Sequence, residues 1–534
     1  MQHAARRIRN AVAWPATAAW LGLALGGFTS YCHAADERLA GSTLGLLDSV
    51  QVALARNANV LNSSRQTDIA QGQLQQAQGS FDAVLSASLT NQRKYTPNTA
   101  ADQLSAGSSA ADSVVADETN GAMKLSQLLR NGISIEPALS ISRATDSSVL
   151  SQQVPIANRA TVGVNVTVPL LKNPGADIAA VGERTAQLEL EAVRLDRTQV
   201  LSQATLGVVT AYWSYLAAEK ARLIAIDAEK SSLRRTEDTG KLVDAEILPA
   251  AERDLVAADG AAKRSARIAA EQALEDARSN LARNMGLSAQ EAHTLPLPGE
   301  DFPAVPTQPI APALQLERMR ELALRQRTDL QAVQIRYGQA EINLDATRRG
   351  LKPQLDLVLG VGVSGLSEGS ANGNYFGAAN SNLRGPNATV GINYQFPVQN
   401  RSAAGLLVQK QGAVDQLDIN RRDLQSSILI SIEGLSTSVY RLGLQLADSK
   451  RSVELYAKSV ENEEIRRKMG RSTLIEVLNV SDRLLLARQS LTSVQLNYAN
   501  AIAQLRYACG AFFKVDGVTS TNLVLDRESL LTPP

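Results

Sequence analysis

Beyond one apolar stretch near its N-terminus, the chain has no hydrophobic run approaching the roughly 20 residues that a membrane-spanning helix needs. If it crosses a bilayer, strands must do it. Histidine (3) and cysteine (2) are scarce, which works against a zinc centre, a disulfide framework and a histidine-dependent nucleophile. Aromatic residues make up 4%, too few for compact cores rich in Phe and Trp, and the plentiful Ala, Leu, Gln, Arg and Glu suit long helices instead. Excess charge is missing too. Lys and Arg number 54 against 53 Asp and Glu, so nothing points to nucleic acid.

Residues 1–34 read as a secretory leader. Arg6, Arg7 and Arg9 precede an apolar segment from Ala11 to Phe28, and Cys32-His33-Ala34 leads to a cleavage position before Ala35. Tyr31 is too bulky to precede a lipidated Cys32. Removal of the leader takes away three arginines and no acid, moving the formal charge from +1 to −2, and leaves His293 and Cys509 as the sole residues of their types. Cys509, within a helical pattern, reads as a small buried hydrophobe.

What is present is repetition. The apolar spacing of Val50, Leu54, Leu61, Ile69 and Leu74 predicts a helix over 49–80, and Ala53, Leu54, Val60, Ala70, Leu74 and Leu85 recur 270 residues later as Ala323, Leu324, Leu330, Ala340, Leu344 and Leu355. Each copy runs into period-two alternation. Leu85, Ala87 and Leu89 predict one strand, and Leu355 through Val363 another; returning strands follow at Val162–Val168 and Val390–Phe396, ending at Pro169 and Pro397. Four such strands per chain are long enough to cross a bilayer but too few to close a barrel, so closure requires several copies.

The repeat offset drops from 270 before the strands to 228 after them, making the first hairpin connection 42 residues longer. It holds a Ser, Ala and Asp-rich loop from Thr96 to Glu118. An extra hairpin follows, turning at Asn131-Gly132 between Met123–Leu129 and Ile133–Ile141. We expect it outside the cell, with added barrel strands as the alternative. After Pro397, Ile432, Val439, Leu446, Val453 and Val460 fall seven apart, with Ile428, Leu435, Leu442 and Tyr456 beside them, a coiled-coil seam. Leu201, Val208, Tyr212, Tyr215, Ile226 and Leu233 carry a looser version. Each helix of 60-odd residues would extend on the order of 100 Å.

Glycines interrupt both long patterns. Gly240, Glu246, Ile247 and Leu248 recur at an offset of 230 as Gly470, Glu476, Val477 and Leu478, implying two helical hairpins that return to Gly286 and Gly510. The returns measure 46 and 40 residues from these glycines, about one heptad more in the first. Domain boundaries follow: leader 1–34, first repeat 35–287, Pro-rich connector 288–314, second repeat 315–511 and tail 512–534.

Two short motifs invite catalysis and fail on context. Gly360, Gly362 and Gly365 match dinucleotide-binding spacing after a strand, but the Gly, Ser and Asn-rich stretch to Ser381 supplies no following helix to hold a pyrophosphate. Ser367 sits in a G-x-S-x-G pattern, yet His293 precedes it in the chain and lies beside a loop. No catalytic residue, cofactor or metal is expected, and the cluster from Glu461 to Lys468 reads as a solvated helix face.

Taken in order, the duplicated helix, strand, strand and helical-hairpin units, the strand exits at Val168-Pro169 and Phe396-Pro397, and the closing pattern from Gly470 through Glu476-Val-Leu-Asn-Val480, Leu485, Ala487, Tyr498, Leu505 and Gly510 resemble the TolC family of outer-membrane efflux proteins. That resemblance implies an α+β membrane protein: a homotrimeric 12-stranded barrel, four strands per chain, in the outer membrane of a Gram-negative bacterium, continuous with a long α-helical coiled-coil barrel in the periplasm. It also implies an exit duct for efflux or type I secretion, docked through a periplasmic adaptor (membrane fusion) protein to an inner-membrane transporter of the RND, ABC or MFS type. The adaptor-contacting tips map onto Gly240, Lys241 and Leu242, and onto Gly470, Arg471, Ser472 and Thr473. The channel aperture maps onto Glu246, Glu476 and Asn479, the last replacing a second acid. Like-charge repulsion between copies of Glu476 would raise its pKa. The family's tyrosine and arginine braces are unmatched, with Arg467 and Ser472 in their places. We therefore expect Arg467 or Arg471 to pair with Glu246 or Glu476 across helices. A general diffusion porin and a structural surface coiled coil are the competing classes; the first needs more strands per chain, and the second does not explain the repeated strands.

Overall fold

A computed structural model describes residues 43–101, 113–147, 156–172, 174–304, 312–380 and 383–513. The leader with Cys32, the middle of the Ser, Ala and Asp-rich loop, and the tail beyond 513 lie outside them. In chain order the elements are α1 (Leu46–Arg56), α2 (Ala58–Gln78), β1 (Val84–Pro97), β2 (Ser113–Leu128), β3 (Ser134–Asp146), β4 (Ala157–Pro169), α3 (Val181–Asp244), α4 (Ala251–Met285), α5 (Pro312–Gln326), α6 (Thr328–Arg349), β5 (Gln354–Glu368), α7 (Asn372–Asn380), β6 (Leu383–Gln395), α8 (Arg401–Lys468) and α9 (Leu474–Ala508). Short helical turns lie at Ala176–Ala179 and Ala289–His293.

The chain forms two compact units that cut across both repeats. One gathers the described parts of Met1–Arg65, Leu195–Leu330 and Asp423–Pro534; the other gathers Gln66–Arg194 and Gln331–Arg422.

The second unit holds the strands, and here the expectation of four per chain is corrected to six. They form one antiparallel sheet in sequence order, β1-β2-β3-β4-β5-β6. The hairpin expected outside the cell is in the sheet: β2 pairs β1 from Val84↔Ser126 to Pro97↔Ser113, and β3 pairs β4 from Ser134↔Thr167 to Ala144↔Ala157. Its turn is where the sequence put it. Gly132 takes φ +86°, and the Leu129 and Ile133 backbones close the loop at 2.8 Å. Strand pairing is a tertiary choice that alternation alone does not encode, and Asp117, Glu118 and Asn120 hide the apolar period at the start of β2.

Pairing registers put Leu85, Leu89, Met123, Leu125, Leu139, Val162, Val164, Val361, Val363, Val390 and Ile392 on one face. Leu89, Val361, Val390 and Ile392 are well exposed there. The opposite face carries Ser, Thr, Asn and Gly, with a Lys124–Glu136 ion pair at 3.0 Å. Between β4 and β5 the two backbones crowd together. A Cβ on Gly362 would lie 2.7 Å from the Val162 carbonyl oxygen, so the glycines of the dinucleotide-like pattern serve strand contact inside β5. The helix thought missing after that pattern exists as α7, but it starts seven residues beyond Gly365 and is itself rich in Gly and Asn.

The first unit holds the helical hairpins. The single helix expected over 49–80 is broken: Asn57 adopts ψ 129° between α1 and α2, its side-chain oxygen accepts the Asn59 N–H (2.9 Å), and its amide donates to the Asn284 carbonyl (2.8 Å). The second repeat breaks 270 residues later at Arg327, between α5 and α6. Tyr212, Trp213 and Tyr215 of α3 are buried with Leu44, Phe302 and Phe512 in the largest core cluster. The Tyr212 hydroxyl donates to the Leu44 carbonyl at 2.9 Å, and Leu44 bridges to Pro298, so the Pro-rich connector lies against this core rather than running free. Ile428, Ile432, Leu435, Val439, Leu442 and Leu446 of the seam pack in two further clusters, but Leu233 is 58% exposed. The extra heptad is also corrected, since α4 and α9 both contain 35 residues. Cys509 is buried, and burial pushes its thiol up to about 11.

Candidate functional site

The two helical turns carry the residues that the sequence singles out. At the second, the basic last turn of α8, Arg466, Arg467 and Lys468, suits the negative end of the helix dipole. Gly470 then turns the chain at φ +71°. The Arg467 carbonyl accepts the Gly470 N–H and the Arg466 carbonyl accepts the Arg471 N–H, each at 2.9 Å, the paired bonds of a Schellman ending. Thr473 starts α9 with a reciprocal cap: its hydroxyl accepts the Glu476 N–H (3.3 Å), and the Glu476 carboxylate accepts the Thr473 N–H (2.8 Å). Ser472 bridges the carboxylates of Glu463 and Glu476.

The first turn uses the same bonds six residues later than expected. Gly240, Lys241 and Leu242 lie inside α3, which continues to Asp244. The left-handed residue is Glu246 at φ +58°, donating to the Val243 carbonyl while Ile247 donates to Leu242, both at 2.9 Å. The two turns therefore match at an offset of 224, the same that relates Gly286 to Gly510. On that alignment Glu246 is the counterpart of Gly470, and Glu252 in the first turn of α4 is the counterpart of Glu476. The slip arose because an interior helical glycine costs only about 1 kcal/mol and is tolerated, while a glutamate gives no sign of a left-handed turn.

Glutamate in this conformation is strained where glycine is not. We expect Glu246→Gly to stabilise the first hairpin by about 1 kcal/mol and Gly470→Ala to destabilise the second by a similar amount. Nothing lies within 4 Å of a Cβ on Gly470, so the backbone alone sets that cost. Thermal unfolding of the two variants checks it; a loss of stability in Glu246→Gly, or none in Gly470→Ala, would show that the turns are not equivalent.

Glu246, Glu476 and Asn479 are exposed, as an aperture requires, but Glu476 is engaged in its cap. Within one chain the Thr473 N–H, followed by the Ser472 and Thr473 hydroxyls, holds its carboxyl below the usual range, an effect separate from repulsion between copies. Among the described residues, neither Arg467 nor Arg471 pairs with Glu246 or Glu476 within the chain. The ion pairs present are others. Arg466 meets Glu463 at 3.2 Å, and Asp244 clips Arg253 across the first turn at 2.9 Å. Further from the turns, Lys263 meets Asp482 and Arg488 meets Asp227 at 2.7 Å, tying one hairpin to the other. Sequence reading missed these pairs because they depend on which helices become neighbours.

The turns differ in charge. Residues 237–254 hold six acids and two bases, whereas the equivalent window 461–478 holds four of each. Among the described residues no group of His, Cys, Asp or Glu could hold a metal ion, and no helix is long and apolar enough to cross a membrane.

Residues 319–511 match the sequence profile of the family described as Outer membrane efflux protein. No curated protein matches the chain by sequence. Solved structures share its fold at low identity. The CmeC outer membrane channel of Campylobacter jejuni is 14% identical with a TM-score of 0.63, covering 87% of this chain and 85% of that one. The outer membrane protein VceC of Vibrio cholerae is 14% identical at 0.61, covering 87% and 96%. The open-state MtrE outer membrane channel of Neisseria gonorrhoeae is 17% identical at 0.59, covering 87% and 88%. The second repeat thus matches the outer membrane efflux protein family, and most of the chain shares the fold of these outer membrane channels.

Proposed function

We propose that the chain is the outer-membrane channel of an efflux system, crossing the membrane with its sheet and engaging its pump's adaptor with the two helical turns. The observation that carries this reading is the apolar belt that runs across one face of the sheet from Leu85 and Leu89 to Val390 and Ile392, in a chain none of whose described helices is long and apolar enough to span. Such a face is stable against lipid, with the small and polar face turned to a wet lumen.

The channel is a homotrimer in this reading. Val408, Ile419, Ile430, Leu444 and Leu455 of α8 are exposed and lie within about 40° of one another around the helix, at 100° per residue. A stripe of this kind calls for a neighbouring helix, and a second copy supplies one. The turns dock a periplasmic adaptor, and through it an inner-membrane transporter of the RND, ABC or MFS type. The acidic first turn and the balanced second turn favour different surfaces on that adaptor. Efflux of small molecules and type I secretion share this duct, and the pump sets the cargo.

Cysteines at Ala245 and Gly470 test the docking. On cells carrying the cognate pump, we expect both to crosslink to one periplasmic protein while the channel fractionates with the outer membrane as a trimer. Recovery in another fraction, or crosslinks from mid-helix control sites but not from the turns, would overturn the assignment.

A further inference from the structure

The open sheet has two unpaired edges, the outer sides of β1 and β6, which are 14 and 13 residues long. Neither can stay unpaired in lipid, where every backbone N–H and C=O needs a partner. Because six alternating strands leave β1 and β6 running in opposite directions, the β6 edge of one copy can pair antiparallel with the β1 edge of the next.

We propose that three copies close an 18-stranded transmembrane barrel, with β2 and β3 as wall strands that face lipid on one side and the lumen on the other. The inference rests on the threefold assembly proposed above. What it adds is the place of the extra hairpin, and three independent features lock that hairpin into the wall.

First, β2 and β3 are paired along their length on both sides, and Met123, Leu125 and Leu139 continue the apolar belt of the flanking strands at the same height. Second, the hairpin is clamped at its turn. The Arg130 guanidinium donates to both oxygens of Glu183 (2.7 and 3.0 Å) and sits over the Phe81 ring at 5.1 Å. Third, it is held at the opposite end. Arg143 of β3 donates to the side-chain oxygen of buried Asn158 (2.6 Å) and to the Ala371 carbonyl (3.0 Å), while Asn158 donates to the Ser367 and Gly369 carbonyls (2.9 and 3.0 Å). Tyr375 of α7 lies against Arg143 and reaches the Ile141 carbonyl at 3.3 Å. A hairpin hanging free of the sheet would have no use for a buried asparagine joining it to β4 and β5.

Two extra strands per copy change the duct. With strands about 4.8 Å apart and tilted by about 40°, an 18-stranded wall has a backbone diameter of about 36 Å, against about 24 Å for 12 strands. The polar face of β2 and β3, with Asn120, Lys124, Glu136 and Ser140, then lines the widened section.

Distances between identical spin labels at Thr161→Cys, on the lumen face, test this in a Cys509→Ala background of the full chain in membranes. Three labels at one height lie about 31 Å apart on an 18-stranded ring and about 21 Å apart on a 12-stranded one. Asn393→Cys gives the same comparison if the first site perturbs folding. In parallel, Met123→Cys and Leu139→Cys are expected to resist an aqueous maleimide, whereas Asn120→Cys and Ser140→Cys react. A trimer with the longer spacing and this alternating reactivity supports the proposal. A trimer with the shorter spacing, or uniform reactivity along the hairpin, overturns the 18-stranded wall and leaves the channel reading intact. A copy number other than three by native mass overturns the trimer and the strand count together.

Discussion

Gly286→Ala is expected to destabilise the helical unit by about 2–4 kcal/mol, combining left-handed strain with overpacking against backbone. Gly286 ends α4 at φ +75°, where its N–H donates to the Arg283 carbonyl at 3.1 Å and the Leu287 N–H donates to Ala282 at 3.0 Å. A Cβ there would fall 2.6 Å from the Arg56 carbonyl oxygen and 2.9 Å from the Asn57 nitrogen. Those atoms cannot rotate aside as a side chain would. They belong to the α1–α2 break, which is fixed by the Asn57 amide on Asn284 and by Arg56 on Glu291 at 2.6 Å. Glu291 is itself anchored, its carboxyl lowered to about 2 by the Ser288 hydroxyl and N–H and then by Arg56. Gly240→Ala supplies the contrast. Its position is helical and its nearest neighbour is the mobile end of Arg253 at 3.6 Å, so stability should rise by up to about 1 kcal/mol. Urea unfolding followed by Trp213 fluorescence measures both, and equal effects would refute the distinction.

Trp213→Ala should cost about 3–5 kcal/mol, the range for deleting a fully enclosed indole. Trp213 has no exposed surface, meets Tyr212 edge-on at 5.3 Å between ring centres, and lies 5.7 Å from Phe302 of the connector. Losing it opens a cavity between α3 and the connector, where Lys220 bonds Asp301 at 2.5 Å and covers the Phe302 ring at 5.1 Å. Trp213→Phe keeps an aromatic partner for both rings and should lose less than half as much. Circular dichroism during denaturation, with yield in the outer membrane as a second readout, checks the order; a silent Trp213→Ala would mean that this cluster does not hold the unit together.

The elements themselves were legible because periodicity is local. Seven-residue spacing found α8, alternation found β1, β4, β5 and β6, and Asn131-Gly132 found the β2–β3 turn. Strand count was not legible, since that hairpin reads the same whether its edges meet water or other strands. The second turn was legible because Gly470 announces a left-handed residue and Thr473 with Glu476 announces a cap. The first was misplaced because Glu246 takes glycine's conformation, Pro249 stands where Thr473 does, and a real but helical Gly240 offered a false match. Gly286 and Gly510, both positive in φ, held the correct offset throughout. Ion pairs such as Arg488 with Asp227 were beyond reach, because a charged side chain names no partner.

The profile match is confined to the second repeat, and the departures gather in the first: the added strands, the glutamate turn and the acidic window around it. In the assembly proposed above, a duplicated chain would present every ring contact in two versions, so that one could keep its chemistry while the other diverges. The ring would then speak alternating dialects. A partner made of identical subunits would have to accommodate both, or recognise every second position and leave the rest for something else.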